Sequence, residues 1–237
     1  MNPQLRPLFE AATRPYVGAG TFAWHFARGK LRHDPVFFFL LRRGLLPDRE
    51  SLLDLGCGRG ILLSLLKAAK EQYQTGVWPR DWPVPPLNLG LRGIELSESR
   101  VRAARHALGD SARVDLRDLR DIDLPPCSVI VMIDVLFYLG REEQERLLDR
   151  AAAALAPGGL LLVRETDAGA GFAFRVTRWS EILAGALRGE LAQRLHYRSA
   201  VQWIAELAGR GLSVRVEPMS EGTPFANVLF VARKGFG

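Results

Sequence analysis

Leu53-Asp54-Leu55-Gly56-Cys57-Gly58-Arg59-Gly60 ends a short apolar run and opens a segment of helical spacing. Residues 51–56 read as a buried strand, and residues 61–74 hold good helix formers at helical intervals. Glycines at 56, 58 and 60 let the backbone turn sharply between the two and approach a ligand closely. A glycine turn ahead of a helix N-terminus commonly cradles a diphosphate, but that pattern is G-x-G-x-x-G, and the residue three after Gly58 is Ile61. Here the spacing is G-x-G-x-G, with Asp54 two residues before the first glycine. An acid at that place suits a ligand carrying an ammonium group.

Outward from this turn the chain alternates strands and helices. Residues 1–46 read as a helical cap with short breaks, in which Asp34-Pro35 opens a helix over 36–46 ahead of Pro47. Between 75 and 88 the run of Trp78, Pro79, Trp82, Pro83, Pro85 and Pro86 predicts an extended loop. Strands are expected over 89–96, 112–116, 128–134 and 160–165. Helices are expected over 97–108 and 142–155, the second stopped by Pro157-Gly158-Gly159. Alternation of this kind implies a parallel sheet wrapped on both sides. The last two strands, 212–217 and 227–232, are joined too closely for a crossover helix and should pair antiparallel. The expected fold is α/β, with a mostly parallel seven-stranded sheet and a terminal antiparallel hairpin. It forms one domain over 1–237, with a lid-like insertion at 167–197.

A second element is Gly93-Ile94-Glu95, at the end of the second strand. An acid there can accept hydrogen bonds from both hydroxyls of a ribose. It usually lies about twenty residues beyond the glycine turn, and the Trp/Pro-rich loop accounts for the gap of 37 from Gly58. An ammonium group and a ribose in one ligand describe S-adenosylmethionine (SAM). Arg117-Asp118-Leu119 after the third strand and Leu155-Ala-Pro-Gly-Gly159 before the fifth complete four matches in order. With them the chain resembles the class I SAM-dependent methyltransferases, of Rossmann-like fold.

The resemblance implies that Asp54, Gly56, Cys57 and Gly58 hold the methionine part of SAM and Glu95 the ribose. It places Leu96 beside the adenine, Asp118 with Leu119 at its amino group, and Asp134 at the sulfonium. Arg117 stands where the family usually has glycine. The stretch from Phe22 to Leu31, the segment from Gly222 to Leu229 and the paired-Trp loop resemble bacterial methyltransferases associated with aryl-polyene and fatty-acid-like biosynthesis. That likeness implies a phenolic acceptor, either a small molecule or one tethered to an acyl carrier protein.

The net charge is +6, but only four of the 32 basic residues are lysine, and Asp and Glu are interleaved among the arginines. A nucleic-acid binder needs a coherent basic patch, so no nucleic-acid partner is expected. Two cysteines, Cys57 and Cys127, supply neither a metal cluster nor a disulfide framework. Absence of a leader-like or membrane-spanning run points to the cytoplasm. Asp134-Val-Leu-Phe-Tyr138 replaces the base-stacking motif of nucleic-acid amino-methylating enzymes, and Pro126-Cys127 precedes the fourth strand instead of following it. Only Asp134 supplies a carboxylate after that strand, so no metal is expected.

A base would help an acceptor lose its proton. His25, Tyr138 and Glu165 are the principal candidates, with His196 and Tyr197 behind them; each could equally pack or face water. Lys30 could neutralise the SAM carboxylate or simply be solvated. Phe172, Phe174, Val176 and Trp179 could wall a pocket or pack a helix, and Arg175 and Arg178 could bind a phosphate or face water. An RNA- or protein-directed methyltransferase and a non-catalytic SAM-binding scaffold are the competing functions.

Overall fold

Apolar strands alternating with helices set the chain's course, and the computed structural model describes residues 5–48, 51–187 and 194–236. The chain divides into two units. One runs to Ile122 and includes Cys127–Val129; the other holds Asp123–Pro126 and the chain from Ile130 onward.

The first unit begins with α1 (Arg6–Thr13), a 3-10 turn (Arg14–Val17), α2 (Thr21–His33) and α3 (Val36–Arg42). Then come β1 (Ser51–Leu55), α4 (Ile61–Gln74), β2 (Gly90–Glu95), α5 (Glu98–Leu108) and β3 (Arg113–Leu116). β1 pairs parallel with β2 and β2 with β3, in a register that sets Asp54 opposite Gly93 and Glu95 opposite Leu116. Leu52, Leu53, Leu55 and Ile94 are all buried, as strands covered on both faces require. On α4, Leu62, Leu63, Leu65 and Leu66 are also buried. Each such side chain contributes roughly 1.5–3 kcal/mol, so packing outweighs helix propensity here. α1 docks on α4 through Ser64, whose hydroxyl donates to the Ala12 carbonyl at 2.8 Å.

Two local expectations meet different outcomes. The 75–88 stretch contains neither helix nor strand; the Trp78 and Trp82 rings meet edge to face at 5.6 Å, and Trp78 Nε1 donates to the Pro83 carbonyl. The helix expected over 36–46 stops at Arg42, because Gly44 adopts φ +56° and turns the chain toward β1.

β4 (Cys127–Ile133) is shared between the units. The second unit continues with a 3-10 turn (Leu136–Tyr138), α6 (Arg141–Ala154), β5 (Leu155–Thr166), α7 (Phe172–Leu187), α8 (Ala200–Ala208), β6 (Leu212–Pro218) and β7 (Asn227–Lys234). β7 lies antiparallel to both β5 and β6. The seven strands follow the order β3-β2-β1-β4-β5-β7-β6, a mostly parallel sheet with its terminal pair antiparallel. Among the described residues no helix is long and apolar enough to cross a membrane.

Pro157-Gly158-Gly159 does not separate helix from strand as expected. α6 ends at Ala154 and β5 begins at Leu155, with the Pro-Gly-Gly run inside the strand. Lys234 explains the boundary: its ammonium donates to the carbonyls of Ala152 and Leu155, occupying acceptors that the helix end leaves open. α8 lies outside the sequence expectations, although Ser199 and Gln202 form a capping box at its start. Of the insertion expected at 167–197, α7 supplies most, and residues 188–193 lie outside the described residues.

A buried polar knot holds the second unit's loops. Gln144, fully buried, donates from Nε2 to the carbonyls of Leu136, Leu139 and His196, and accepts from Arg198 Nε at 2.8 Å. Arg198 is also buried and reaches Glu145 and Glu206, both at 2.6 Å. Removing one member strands its partners without water. Gln144→Leu should therefore lower unfolding free energy by about 3 kcal/mol, read from the urea midpoint; an unchanged midpoint would mean that solvent reaches these groups.

Candidate functional site

The turn after β1 is built on one acceptor. The amides of Gly56 and Cys57 both donate to the Ile94 carbonyl, at 2.8 and 3.0 Å, so the glycine turn is pinned to β2. Gly58 takes φ +57°, and nothing lies within 4 Å of where a side chain would start. This side of the turn is open for a ligand. Gly93 is required for the opposite reason: a Cβ there would come within 2.6 Å of Cys57 Sγ. Tyr16, which carried no motif signal, is fully buried and donates its hydroxyl to the Arg59 carbonyl at 2.8 Å.

Two carboxylates face this turn. Glu95 accepts from the Gly58 amide at 3.0 Å and, through its other oxygen, from the Ser97 amide at 2.8 Å. It thus braces the turn, and each oxygen keeps a further lone pair for a ribose hydroxyl. Asp54 is 4% exposed and has no hydrogen bond or cation among the described residues. Burial, with the Glu95 charge adding to it, pushes the Asp54 carboxyl up to about 7. Such a carboxylate is ready for a cationic partner. Burial likewise pushes the Cys57 thiol up, so Cys57 shapes the turn as a neutral group.

The other cofactor candidates are placed as follows. Leu96 is exposed directly after β2, and Leu119 is buried. Asp118 is gripped by Arg120, whose Nε and Nη2 reach its two oxygens at 3.0 and 2.6 Å. An adenine amino group would share that carboxylate with the guanidinium. Lys30 pairs with Asp34 at 2.8 Å. His25 is exposed on α2, its ring 4.7 Å from that of Trp24.

In the second unit the loop after β4 sets Asp134 beside Glu165 and carries Tyr138 against Phe137. Asp134 sits at φ +55°, held by an ion pair of 2.7 Å to the buried Arg164. Glu165 is buried; its Oε1 accepts from the amides of Leu136 at 2.8 Å and Val135 at 3.3 Å. Burial raises its carboxyl to about 8, the Asp134 charge adding and the amides and Arg164 opposing. Phe137 stacks on Tyr197 with centroids 5.2 Å apart, Tyr138 lies 4.4 Å from Phe137, and Phe174 meets Tyr197 edge to face at 5.2 Å. The His196 amide donates to the Phe137 carbonyl at 2.8 Å. Gln144 and Arg198, which hold this arrangement, had no sequence motif to mark them. Among the described residues no group of three or more His, Cys, Asp or Glu side chains is arranged to hold a metal ion.

Asp54 and Glu165, with folded-state values of about 7 and about 8, retain protons that the unfolded chain releases above its ordinary carboxylate range. Their contribution is fully present below that range and is lost as pH rises through 7 and 8. Urea midpoints of the unliganded protein should fall across this window. Asp54→Asn should flatten the lower part and Glu165→Gln the upper part. Midpoints that climb from about pH 5 to 9 in the native protein would refute both assignments.

A family profile described as a methyltransferase domain matches residues 23–216. Over 132 residues the chain is 30% identical to the carboxy-S-adenosyl-L-methionine synthase of Chromohalobacter salexigens, covering 52% of this chain and 44% of that protein. The chain thus spans less than half the length of that relative. In fold it is similar to an O-methyltransferase family protein from Burkholderia thailandensis, with a TM-score of 0.64 and 16% identity over 89% of this chain and 57% of that one. It is also similar to magnesium protoporphyrin IX methyltransferase from Synechocystis PCC 6803 with bound SAH (S-adenosylhomocysteine). There the TM-score is 0.59 and the identity 18%, over 91% of this chain and 89% of that one. The profile match takes in the glycine turn, both of its acids and the loop after β4, and the chain belongs to the methyltransferase-domain family.

Proposed function

We propose that this enzyme methylates a small-molecule acceptor with a phenolic, aryl-polyene-type head group, presented on an acyl carrier protein in the cytoplasm. The cofactor half rests on Asp54, a buried carboxylate without a cation among the described residues, which fits the ammonium group of SAM. Bound SAM supplies an activated methyl group. Asp54, Gly56, Cys57 and Gly58 take the methionine part, and Glu95 takes the ribose. Leu96 flanks the adenine, Asp118 and Leu119 stand at its amino edge, and Asp134 borders the sulfonium. Their work is to position and to exclude water.

The acceptor half is supported by Phe137, Tyr138, Phe174 and Tyr197, which gather around one loop of the second unit with rings 4.4 to 5.2 Å apart. Walls of this kind suit a flat, apolar ligand. His25, Tyr138 and Glu165 are the proton acceptors proposed for the phenol. Glu165 commits Oε1 to loop amides, so Oε2 is its atom for that task. Exposed Arg175 and Arg178, with a net charge of +6, favour an acidic carrier through steering. A second reading comes from the relative named carboxy-S-adenosyl-L-methionine synthase, in which the product is a carboxylated SAM.

Calorimetric titration with SAM, SAH and NAD tests the cofactor half. SAM and SAH should bind with Kd on the order of micromolar, NAD should not bind, and Asp54→Ala should weaken SAM by roughly tenfold or more. Glu95→Ala should act likewise. A folded protein that ignores SAM would refute the assignment. Mass spectrometry of turnover mixtures then separates the readings: a methylated phenol supports the first, a carboxylated nucleoside the second.

A further inference from the structure

The glycine turn carries a guanidinium at its centre. Arg59 stands between Gly58 and Gly60, and its side chain reaches α2, where Cζ lies 4.8 Å from the Phe26 ring centroid and 4.9 Å from that of Phe22. These two rings are one helical turn apart, stacked with centroids at 6.2 Å, and both meet the same cation. The backbone of Arg59 is held from the same side, since its carbonyl accepts the buried Tyr16 hydroxyl. One residue of the turn is therefore gripped twice by the amino-terminal segment.

Two rings of that segment bear on the turn from outside the core, while Ala23, Ala27 and Leu31 bury the other face of α2. Phe22 is 67% exposed and Phe26 37%, so neither ring is there to fill an interior. α2 starts at Gly20, where φ +106° and ψ 156° form a backbone conformation essentially reserved for glycine. His25 is three residues beyond Phe22 and shares that face of the helix. An exposed aromatic pair closed on an arginine of the ligand-binding turn is costly to keep in water unless it does something there.

We propose that Arg59 is a positioning residue: by clamping α2 across the glycine turn through Phe22 and Phe26, it sets how long SAM stays bound. This rests on the reading that the glycine turn holds SAM. Opening the clamp loosens the Phe22–Phe26 face of α2 against the turn, and the cofactor then leaves faster.

Stopped-flow displacement of SAH measures the dissociation rate directly. Arg59→Leu and the pair Phe22→Leu/Phe26→Leu should each speed dissociation by roughly tenfold. Combining them should give no further acceleration, because both remove one interaction. Arg59→Lys, which keeps the charge but loses the planar face, should fall between. Melting temperatures of the unliganded variants should stay near the wild type, since the rings are exposed. Additive effects, or rates within about twofold of wild type in folded variants, would overturn the clamp and leave the cofactor assignment standing. Failure of the wild-type protein to bind either SAM or SAH would overturn both.

Discussion

One carbonyl oxygen, that of Ile94, receives two amides from the turn after β1. A peptide oxygen has two lone pairs, and spending both on Gly56 and Cys57 ties strand end, turn and neighbouring strand into one rigid piece. Gly93 has to lack a side chain for this to happen, because Cys57 packs where its Cβ would stand. Glu95 then closes the arrangement from the other side by accepting the Gly58 amide. The result fixes the turn's backbone from within the protein, so a ligand docking there would cost little ordering entropy. The cost is electrostatic: Asp54 is left buried beside Glu95 with no cation among the described residues, and its proton is correspondingly hard to remove.

The second unit achieves rigidity by different means. The loop after β4 has no regular partner strand, yet its backbone groups are met one by one. Glu165 takes the amides of Val135 and Leu136, Gln144 takes the carbonyls of Leu136 and Leu139, and the His196 amide takes that of Phe137. Asp134 holds a left-handed conformation that few residues other than glycine, asparagine and aspartate adopt readily. Residues kept in such conformations persist where the surroundings over-determine them. Tyr138 is thereby presented from a fixed platform instead of a mobile loop.

How much of this could be read from the chain depended on range. The glycine turn, Asp54 and Glu95 were legible because strand, turn and acid follow one another at short, chemically meaningful spacings. The alternation of strands and helices was legible for the same reason, and with it the parallel sheet and terminal hairpin. Tyr16 acts across 43 residues and Arg198 on Gln144 across 54, and no local pattern announces either. The Lys30 pair is local by contrast, since its partner Asp34 stands one helical turn away. Arg120, two residues past Asp118, makes an equally local pair. Short α8 was missed although its capping box is plain, since nine residues carry little periodic signal.

The junction of α6 with β5 has a consequence for how this scaffold can vary. Helix ends at Ala154 and strand begins at Leu155, with no connecting residue between them. Two periodicities therefore share one phase. Inserting a single residue there would rotate the helix by about 100° relative to its neighbours or transfer every β5 side chain to the opposite face of the sheet. Neither can be absorbed by slack that does not exist, and the Lys234 cap fixes the joint further. A change of length at that seam therefore disturbs more packing than one in the insertion that carries α7, where the chain leaves the sheet and returns to it.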